Sequence, residues 1–229
     1  MNDWSFQPQG GTVRLFPVPG LVMFPHVMQP LHIFEPRYRA LLADALADDS
    51  LIAMPVLAAQ QQSGEGPPPL EPVACLTKVV SHQTLPDGCS NLLVIGVARI
   101  RLVSELPAWE AYRQAEACRL DEQDVMANDA QVERMRERLL GAFKKHLSTE
   151  VEDLSCLDGL LDHELPLRVL TDLIAHTLPI DNQLKIDLLA ETDVEHRAAM
   201  LQQSLCEPAL RPPRTLVPAG SFPPGFSDN

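Results

Sequence analysis

The stretch of sequence that decides the fold is Leu15-Phe-Pro-Val-Pro-Gly-Leu-Val-Met-Phe-Pro-His-Val-Met-Gln-Pro-Leu-His-Ile-Phe-Glu-Pro-Arg-Tyr-Arg39. Its first part contains four prolines: Pro17, Pro19, Pro25 and Pro30. Because proline has no backbone N–H, a strand that carries it lies at a sheet edge, breaks at a bulge or takes polyproline geometry. Apolar residues alternate with other residues at the period of half-buried strands in three pairs: Val13 and Leu15, Val22 and Phe24, Leu31 and Ile33. The stretch therefore predicts short strands of a bent sheet or barrel.

A helix is predicted to begin at Pro36. Proline suits the first helical position, and the Glu35 carboxylate before it suits the positive end of the helix. Apolar residues follow at the spacing of one helix face: Tyr38, Leu41, Leu42, Ala45 and Leu46. We expect this helix to stop between Asp48 and Ser50.

The next segments are typical of longer strands. Pro55 interrupts the first of them, and Pro86-Asp87-Gly88 is strong punctuation for a hairpin, because glycine tolerates positive φ. Gly96 marks a bulge or a close backbone approach. The predicted strands are 51–59, 73–82, 91–103 and 111–120, with a polar surface loop over 60–69 between the first two.

From about Asp121 the apolar period becomes helical. Asn128 and Gln131 form a predicted capping box, and Pro166 and Pro179 begin and end a second helix. The first helix presents one apolar face: Val132, Met135, Leu139, Phe143 and Leu147. A second capping box is predicted at Thr192 and Glu195, and 150–163 reads as a short acidic helix or turn.

The opening stretch, the Leu85-Pro-Asp-Gly88 turn and the segment from Leu92 to Leu102 together resemble the amino-terminal substrate-binding domain of the ATP-dependent Lon protease. The resemblance covers about Thr12 to Leu205. It implies an α+β fold in which a β-rich, PUA-like pseudo-barrel of the Lon amino-terminal type precedes a helical subdomain. The expected units are a flexible amino terminus (1–11), the β-rich unit (12–120), the helical subdomain (121–206) and a proline-rich tail (207–229).

The chemistry of the rest of Lon is missing from this sequence. No Gly-Lys dipeptide occurs, so the usual phosphate-binding loop of an ATPase is excluded, and no lysine stands in the context of a Ser-Lys dyad. The resemblance then implies a non-catalytic module that binds exposed apolar segments of unfolded polypeptides or a protein partner, such as a protease or chaperone. Two alternatives stay open: a small-ligand receptor with a pocket where barrel and helices meet, and, with less support, a peptidase.

The run from Phe34 to Arg39 supplies the candidate binding residues. In the functional interpretation an aromatic ring offers contact area while charged groups fix a polypeptide backbone, and the candidates are Phe34, Glu35, Arg37, Tyr38 and Arg99. In the architectural interpretation Glu35 pairs with an arginine (Arg37, Arg39 or Arg99) and Tyr38 covers the core. Methionines beside aromatics suit promiscuous surfaces but usually fill cores, and this ambiguity applies to Phe16, Met23, Phe24 and Met28.

The net charge of the chain narrows the classes of partner that we expect it to bind. The formal charge of -13 works against nucleic-acid phosphates and anionic membrane surfaces. Residues 1–40 carry two acids and three bases, whereas 121–165 carry twelve acids and five bases, so the amino-terminal part repels acidic chains least. The sequence leaves the oligomeric state open.

Neither metal nor cofactor chemistry is indicated. Five cysteines without a Cys-x-x-Cys pair favour reduced thiols, and His26, His32 and His82 are scattered as structural histidines usually are. The amino terminus lacks the apolar core of a signal peptide, and no apolar run reaches the ~20 residues that span a bilayer. We therefore expect a cytosolic protein without metal or cofactor.

Overall fold

The computed structural model of the chain describes residues 11–58, 67–107, 110–123, 128–147 and 165–206. Six strands form one sheet: β1 (Gly11–Arg14), β2 (Met28–Ile33), β3 (Leu51–Leu57), β4 (Leu70–Thr84), β5 (Ser90–Glu105) and β6 (Gln114–Leu120). The described residues also contain five helices: α1 (Pro36–Ala47), α2 (Asp129–Leu147), α3 (Leu167–Thr177), α4 (Asn182–Ala190) and α5 (Val194–Cys206). The predicted α+β class is confirmed.

The barrel part of the sheet has the antiparallel order β1-β6-β5-β4-β3. Its two end strands approach each other where Leu15 bridges Ala53 in parallel and the Phe16 amide donates to the Ala53 carbonyl at 2.8 Å. Small and branched side chains fill its interior: Val13, Leu15, Leu51, Ala53, Ala74, Leu76, Ile100, Ala115 and Ala117. The alanines leave room for the tight curvature of this half-barrel.

Beyond the barrel, β4 and β5 continue as a long hairpin, and β2 pairs with the outer half of β5. We call these three segments the arm: β2, residues 78–84 of β4 and residues 90–95 of β5. The hairpin turns at Pro86-Asp87-Gly88, where Gly88 has a φ of +80°. The predicted hairpin is confirmed, with strands that run closer to the turn than the sequence pattern indicated.

One hydrophobic core joins the inner face of the arm to the helices. Helix α1 contributes Tyr38, Leu41, Leu42 and Ala45, all of which are buried. Ile33, Val79, Leu92 and Val94 reach this core from the arm, and α2 to α5 cover it with buried leucines, isoleucine and phenylalanine. Strands give way to helices between Leu120 and Asp129, yet the core runs across that change.

Several local predictions are confirmed. Helix α1 begins at Pro36 and ends at Ala47. The capping box forms in both directions, since the Gln131 amide donates to Asn128 Oδ1 at 3.0 Å and the Asn128 amide donates to Gln131 Oε1 at 3.1 Å. The register of β4 and β5 shifts beside Gly96, where a Cβ would overlap the Phe24 carbonyl, so this glycine serves both a bulge and a close approach.

Three predictions are wrong. Residues Val22 to Phe24 are buried but form no strand, because turns at the flanking prolines take the chain away from a pairing partner. Strand β6 begins at Gln114, not at 111. The cap of α5 is Asp193, whose Oδ1 accepts the amides of Glu195 and His196, so the predicted capping pair at Thr192 is displaced by one residue. Most of the predicted 60–69 loop, the acidic segment 150–163 and the tail 207–229 lie outside the described residues.

Candidate functional site

One face of the arm exposes a group of apolar side chains to solvent, with Lys78 and Ser81 on the same side opposite Ile95 and Leu93. Side chains alternate across the strands, so the residues opposite Met28 and Pro30 on β5, Ile95 and Leu93, share their side of the sheet. We call this surface the outer face: Met28, Pro30, Phe34, Val80, Leu93 and Ile95. Exposed fractions reach 53% for Met28, 61% for Phe34 and 48% for Val80. Among the described residues only Val103 is a further large apolar side chain with such exposure, so these exposures concentrate on one face.

Local contacts orient side chains of the outer face towards solvent. A register shift between Val79 and Ser81 adds Val80 as an extra residue in β4, which turns it outward. On β2, His32 Nδ1 lies 2.7 Å from Asn91 Oδ1, and the His32 ring stacks on Phe34 with centroids 6.2 Å apart. The stacking holds the Phe34 ring beside β2 although the residue follows the strand.

Strand β2 is an edge of the arm, because within the described residues it pairs only with β5. The Gly96 amide donates to the Val27 carbonyl at 2.9 Å, and hydrogen-bonded pairs alternate along an antiparallel ladder. Pro30, opposite Leu93, therefore occupies a non-hydrogen-bonded position, and its nitrogen faces the free edge without a proton. The centre of this edge lacks the donor that an added strand would need.

The run after Phe34 divides between surface and core. Arg37 pairs with Glu35 through Nε at 2.9 Å and through Nη2 at 2.7 Å, and its guanidinium lies 4.5 Å from the centroid of the Tyr38 ring. Tyr38 is only 9% exposed and packs edge-on against Phe16. Burial raises the pKa of Tyr38. Phe34, Glu35 and Arg37 thus lie at the surface beside the arm, whereas Tyr38 fills the core beneath them.

Arg99 lies apart from that run, in a buried network of ion pairs. Its guanidinium donates to Asp172 on α3 at 2.5 and 3.2 Å, to Glu122 after β6 at 3.1 Å and to the Leu189 carbonyl at 3.1 Å. Arg197 on α5 donates to the same Glu122 at 2.5 Å. We call Arg99, Glu122, Asp172 and Arg197 the ionic joint, since it connects the strands to the helices.

The pKa shifts in the ionic joint differ between its members, since burial raises the pKa of Asp172 and lowers the pKa of Arg197. Burial works to lower the pKa of Arg99, but Asp172 and Glu122 more than offset it and raise the pKa. Sequence reasoning missed Asp172, Glu122 and Arg197, which have no common spacing. One signal was present, because Asp172 falls among the apolar residues of α3 at a position that faces the core.

A polar cavity of about 330 Å³ opens beside the ionic joint. Residues of β5, β6 and the start of α3 line it together with His26, which has a φ of +66°. Arg99 contributes to the lining although its side chain is only 1% exposed. The cavity contains none of the six residues of the outer face.

Two further properties bear on function. In the ranges that the structure describes, no helix is long and apolar enough to span a membrane. In the same ranges, no three histidine, cysteine, aspartate or glutamate side chains are grouped as metal ligands would be.

Comparison with known proteins places these features in a family. Residues 12–207 match the family model described as the ATP-dependent protease La (LON) substrate-binding domain. The Lon protease of Xanthomonas oryzae pv. oryzae is 27% identical over 203 residues, which are 85% of this chain and 23% of that protein. Lon protease 1 of Myxococcus xanthus is 33% identical over 103 residues, which are 42% of this chain and 12% of that protein. The chain thus spans less than a quarter of the length of these relatives.

Solved structures show the same fold. The amino-terminal domain of a Mycobacterium avium complex Lon protease superposes with a TM-score of 0.64 at 16% identity, covering 87% of this chain and all of that one. A Lon amino-terminal domain protein from Xanthomonas campestris gives a TM-score of 0.63 at 19% identity, covering 84% and 98%. The resemblance drawn from the Leu15–Arg39 stretch is therefore confirmed: the chain belongs to the Lon substrate-binding domain family.

Proposed function

We propose that this chain is a non-catalytic module that binds exposed apolar segments of other polypeptides on the outer face of the arm. The observation that carries the proposal is the concentration of exposed apolar side chains, Met28, Phe34 and Val80, on one sheet face in a family described as substrate-binding. Single exposed apolar residues are common on soluble proteins, whereas a contiguous group of them is typical of an interaction site.

The chemistry of the outer face suits a ligand of variable sequence. Methionine is unbranched and polarisable, so Met28 adapts its shape to different side chains, and Phe34 supplies a large aromatic contact area. Glu35 and Arg37 lie at the edge of this face, where charged groups contribute orientation more than affinity. Such a surface favours unfolded chains, because folded proteins bury the apolar segments that it would contact.

The free edge of β2 indicates how a bound polypeptide segment contacts the arm. Because Pro30 removes a donor from the centre of the free edge, a bound segment gains less from joining the sheet as an added strand than from packing on the outer face. Side chains therefore provide most of the binding energy. Tyr38 and Arg99 act indirectly in this proposal: Tyr38 supports the surface from the core, and Arg99 fixes β5 to the helices.

Binding is tested with reduced, carboxymethylated lactalbumin as an unfolded probe and fluorescence anisotropy as the readout. The variant carries Met28→Ser and Phe34→Ser, and the matched control carries Val103→Ser, which removes an apolar side chain that is 66% exposed elsewhere on β5. Anchor residues of an interface are worth about 2 kcal/mol or more, which corresponds to roughly 30-fold in affinity. We expect the double variant to bind at least that much more weakly and the control to bind as the parent does.

Two further results decide whether the outer face is the polypeptide-binding surface. The disulfide-intact, folded form of the probe should bind weakly to every variant, since its apolar segments are buried. If the Met28→Ser, Phe34→Ser double variant kept the parent affinity while its circular dichroism was unchanged, the outer face would not be the binding surface and the proposal would fail.

A further inference from the structure

The polar cavity beside the ionic joint has the dimensions and charge of a ligand site. Its volume of about 330 Å³ lies at the lower end of the range of roughly 300–1,000 Å³ that is typical of small-molecule pockets. Its lining includes the buried Arg99 together with Val97 and Ala98 of β5, Leu120 of β6 and Pro25. Polar groups thus converge on a concave space with apolar walls.

The charged residues that line the cavity have a formal excess of one positive charge. The lining contains three arginines, Arg99, Arg119 and Arg168, and two acidic residues, Asp121 and Glu122. The ionic joint is neutral within itself, since Arg99 and Arg197 balance Asp172 and Glu122. Arg119 pairs with Asp121 at 3.2 Å, which leaves Arg168 as the cation without a carboxylate partner among the described residues.

The two outer arginines are free to accept a ligand. The Arg119–Asp121 pair is solvent-exposed, at 46% and 79% for the two side chains, and such pairs contribute little to stability. Arg119 can therefore exchange Asp121 for another anion at small cost. Arg168 is exposed at the second position of α3, and His26 adds a ring nitrogen to the same lining. On a chain with a formal charge of -13, this is a local site of the opposite sign.

We propose that the cavity binds a small organic anion, with Arg168 and Arg119 holding its carboxylate or phosphate group. Guanidinium groups bind both groups in a bidentate manner, and the size of the cavity favours a ligand smaller than a typical drug molecule. The cavity and the outer face share no lining residue, so the two proposals can be tested separately.

The test uses the whole chain, labelled with ¹⁵N, and four probes: inorganic phosphate, ribose 5-phosphate, succinate, and sodium chloride at matched ionic strength. In the parent protein the amide resonances of 97–99 and 119–122 should shift saturably with at least one organic anion and not with chloride. A charge-assisted hydrogen bond is worth about 1.5–3 kcal/mol, so Arg168→Gln should weaken binding roughly 10-fold or more, and Arg119→Gln should act in the same direction.

The matched control is Arg134→Gln, which removes an exposed arginine from α2, outside the cavity lining, and should leave the affinity unchanged. Equal weakening in the control would show that only overall charge matters and would overturn the proposal. Absence of saturable shifts for every organic anion would overturn it as well. Preference between ribose 5-phosphate and succinate would identify phosphate or carboxylate as the recognised group. None of these results depends on the outer face, so failure here leaves the polypeptide-binding test intact.

Discussion

The ionic joint and the outer face both depart from the usual distribution of residues. The joint places charged side chains in the interior, whereas the outer face places apolar side chains at the surface. The joint buries three charged side chains, Arg99, Asp172 and Arg197, and each of them has an ion-pair partner within the joint. The outer face exposes about half or more of the surface of Met28, Phe34 and Val80, at 53%, 61% and 48%. A buried charge that is fully paired is explained by the fold itself, whereas an exposed apolar surface gains nothing until a partner covers it. The difference connects the ionic joint with the stability of the fold and is the reason for proposing the outer face as the polypeptide-binding surface.

The largest effect that separates these regions should come from Arg99→Met. The substitution leaves Asp172, which is fully buried, without its bidentate partner, and breaking a buried ion pair costs about 3–5 kcal/mol of unfolding free energy. Urea unfolding followed by circular dichroism measures this loss. Arg101→Met, on an exposed position of the same strand, should change stability by no more than about 0.5 kcal/mol. Equal losses of unfolding free energy in the two variants would mean that the ionic joint does not contribute more to stability than an exposed arginine does.

The two faces of the arm allow a sharper comparison between neighbouring residues. Ile33 is 3% exposed on the inner side, so Ile33→Ala should cost about 2–4 kcal/mol of unfolding free energy. Phe34, the next residue, is 61% exposed, and Phe34→Ala should stay within about 0.5 kcal/mol. Affinity for an unfolded polypeptide should show the reverse order when both variants are assayed at a temperature where both are folded. A stability loss for Phe34→Ala as large as that for Ile33→Ala would place Phe34 in the core and remove it from the binding surface.

Several elements were predictable from sequence because their signals are local, whereas the arrangement of the elements was expected from the resemblance to the Lon domain. Pro36 fixes a helix start, Asn128 and Gln131 cap a helix reciprocally, and Pro86-Asp87-Gly88 turns a hairpin, each through contacts within a few residues. The Asp193 cap shows the limit of such signals. Two neighbouring residues, Thr192 and Asp193, both suit an N-cap, and the helix uses Asp193.

The candidate site was predictable only in part, because exposure depends on register. Phe16, Met23, Phe24 and Met28 are the same two residue types in one short stretch, yet the first three are buried and only Met28 is exposed. No periodicity distinguishes them, since strand pairing beyond the stretch decides which side each residue faces. The ionic joint is harder still to predict, because Arg99 and Asp172 are 73 residues apart and meet only in the folded chain.

The smallest effect concerns Tyr112, a polar side chain that is buried like the ionic joint but neutral. Burial, together with the 2.7 Å hydrogen bond to Asp44 on α1, raises the pKa of Tyr112 to about 12 from an ordinary value of 10.0. A phenol whose pKa is raised by folding stabilises the fold fully below pH 10.0, and this contribution is lost as the pH rises towards 12. Tyr38, the other tyrosine of the chain, also has a raised pKa, so the folded protein should show little phenolate absorbance near pH 10. Tyr112→Phe should flatten the alkaline loss of thermal stability in that window, and an unchanged pH dependence would mean that Tyr112 ionises in the folded chain as it does in water.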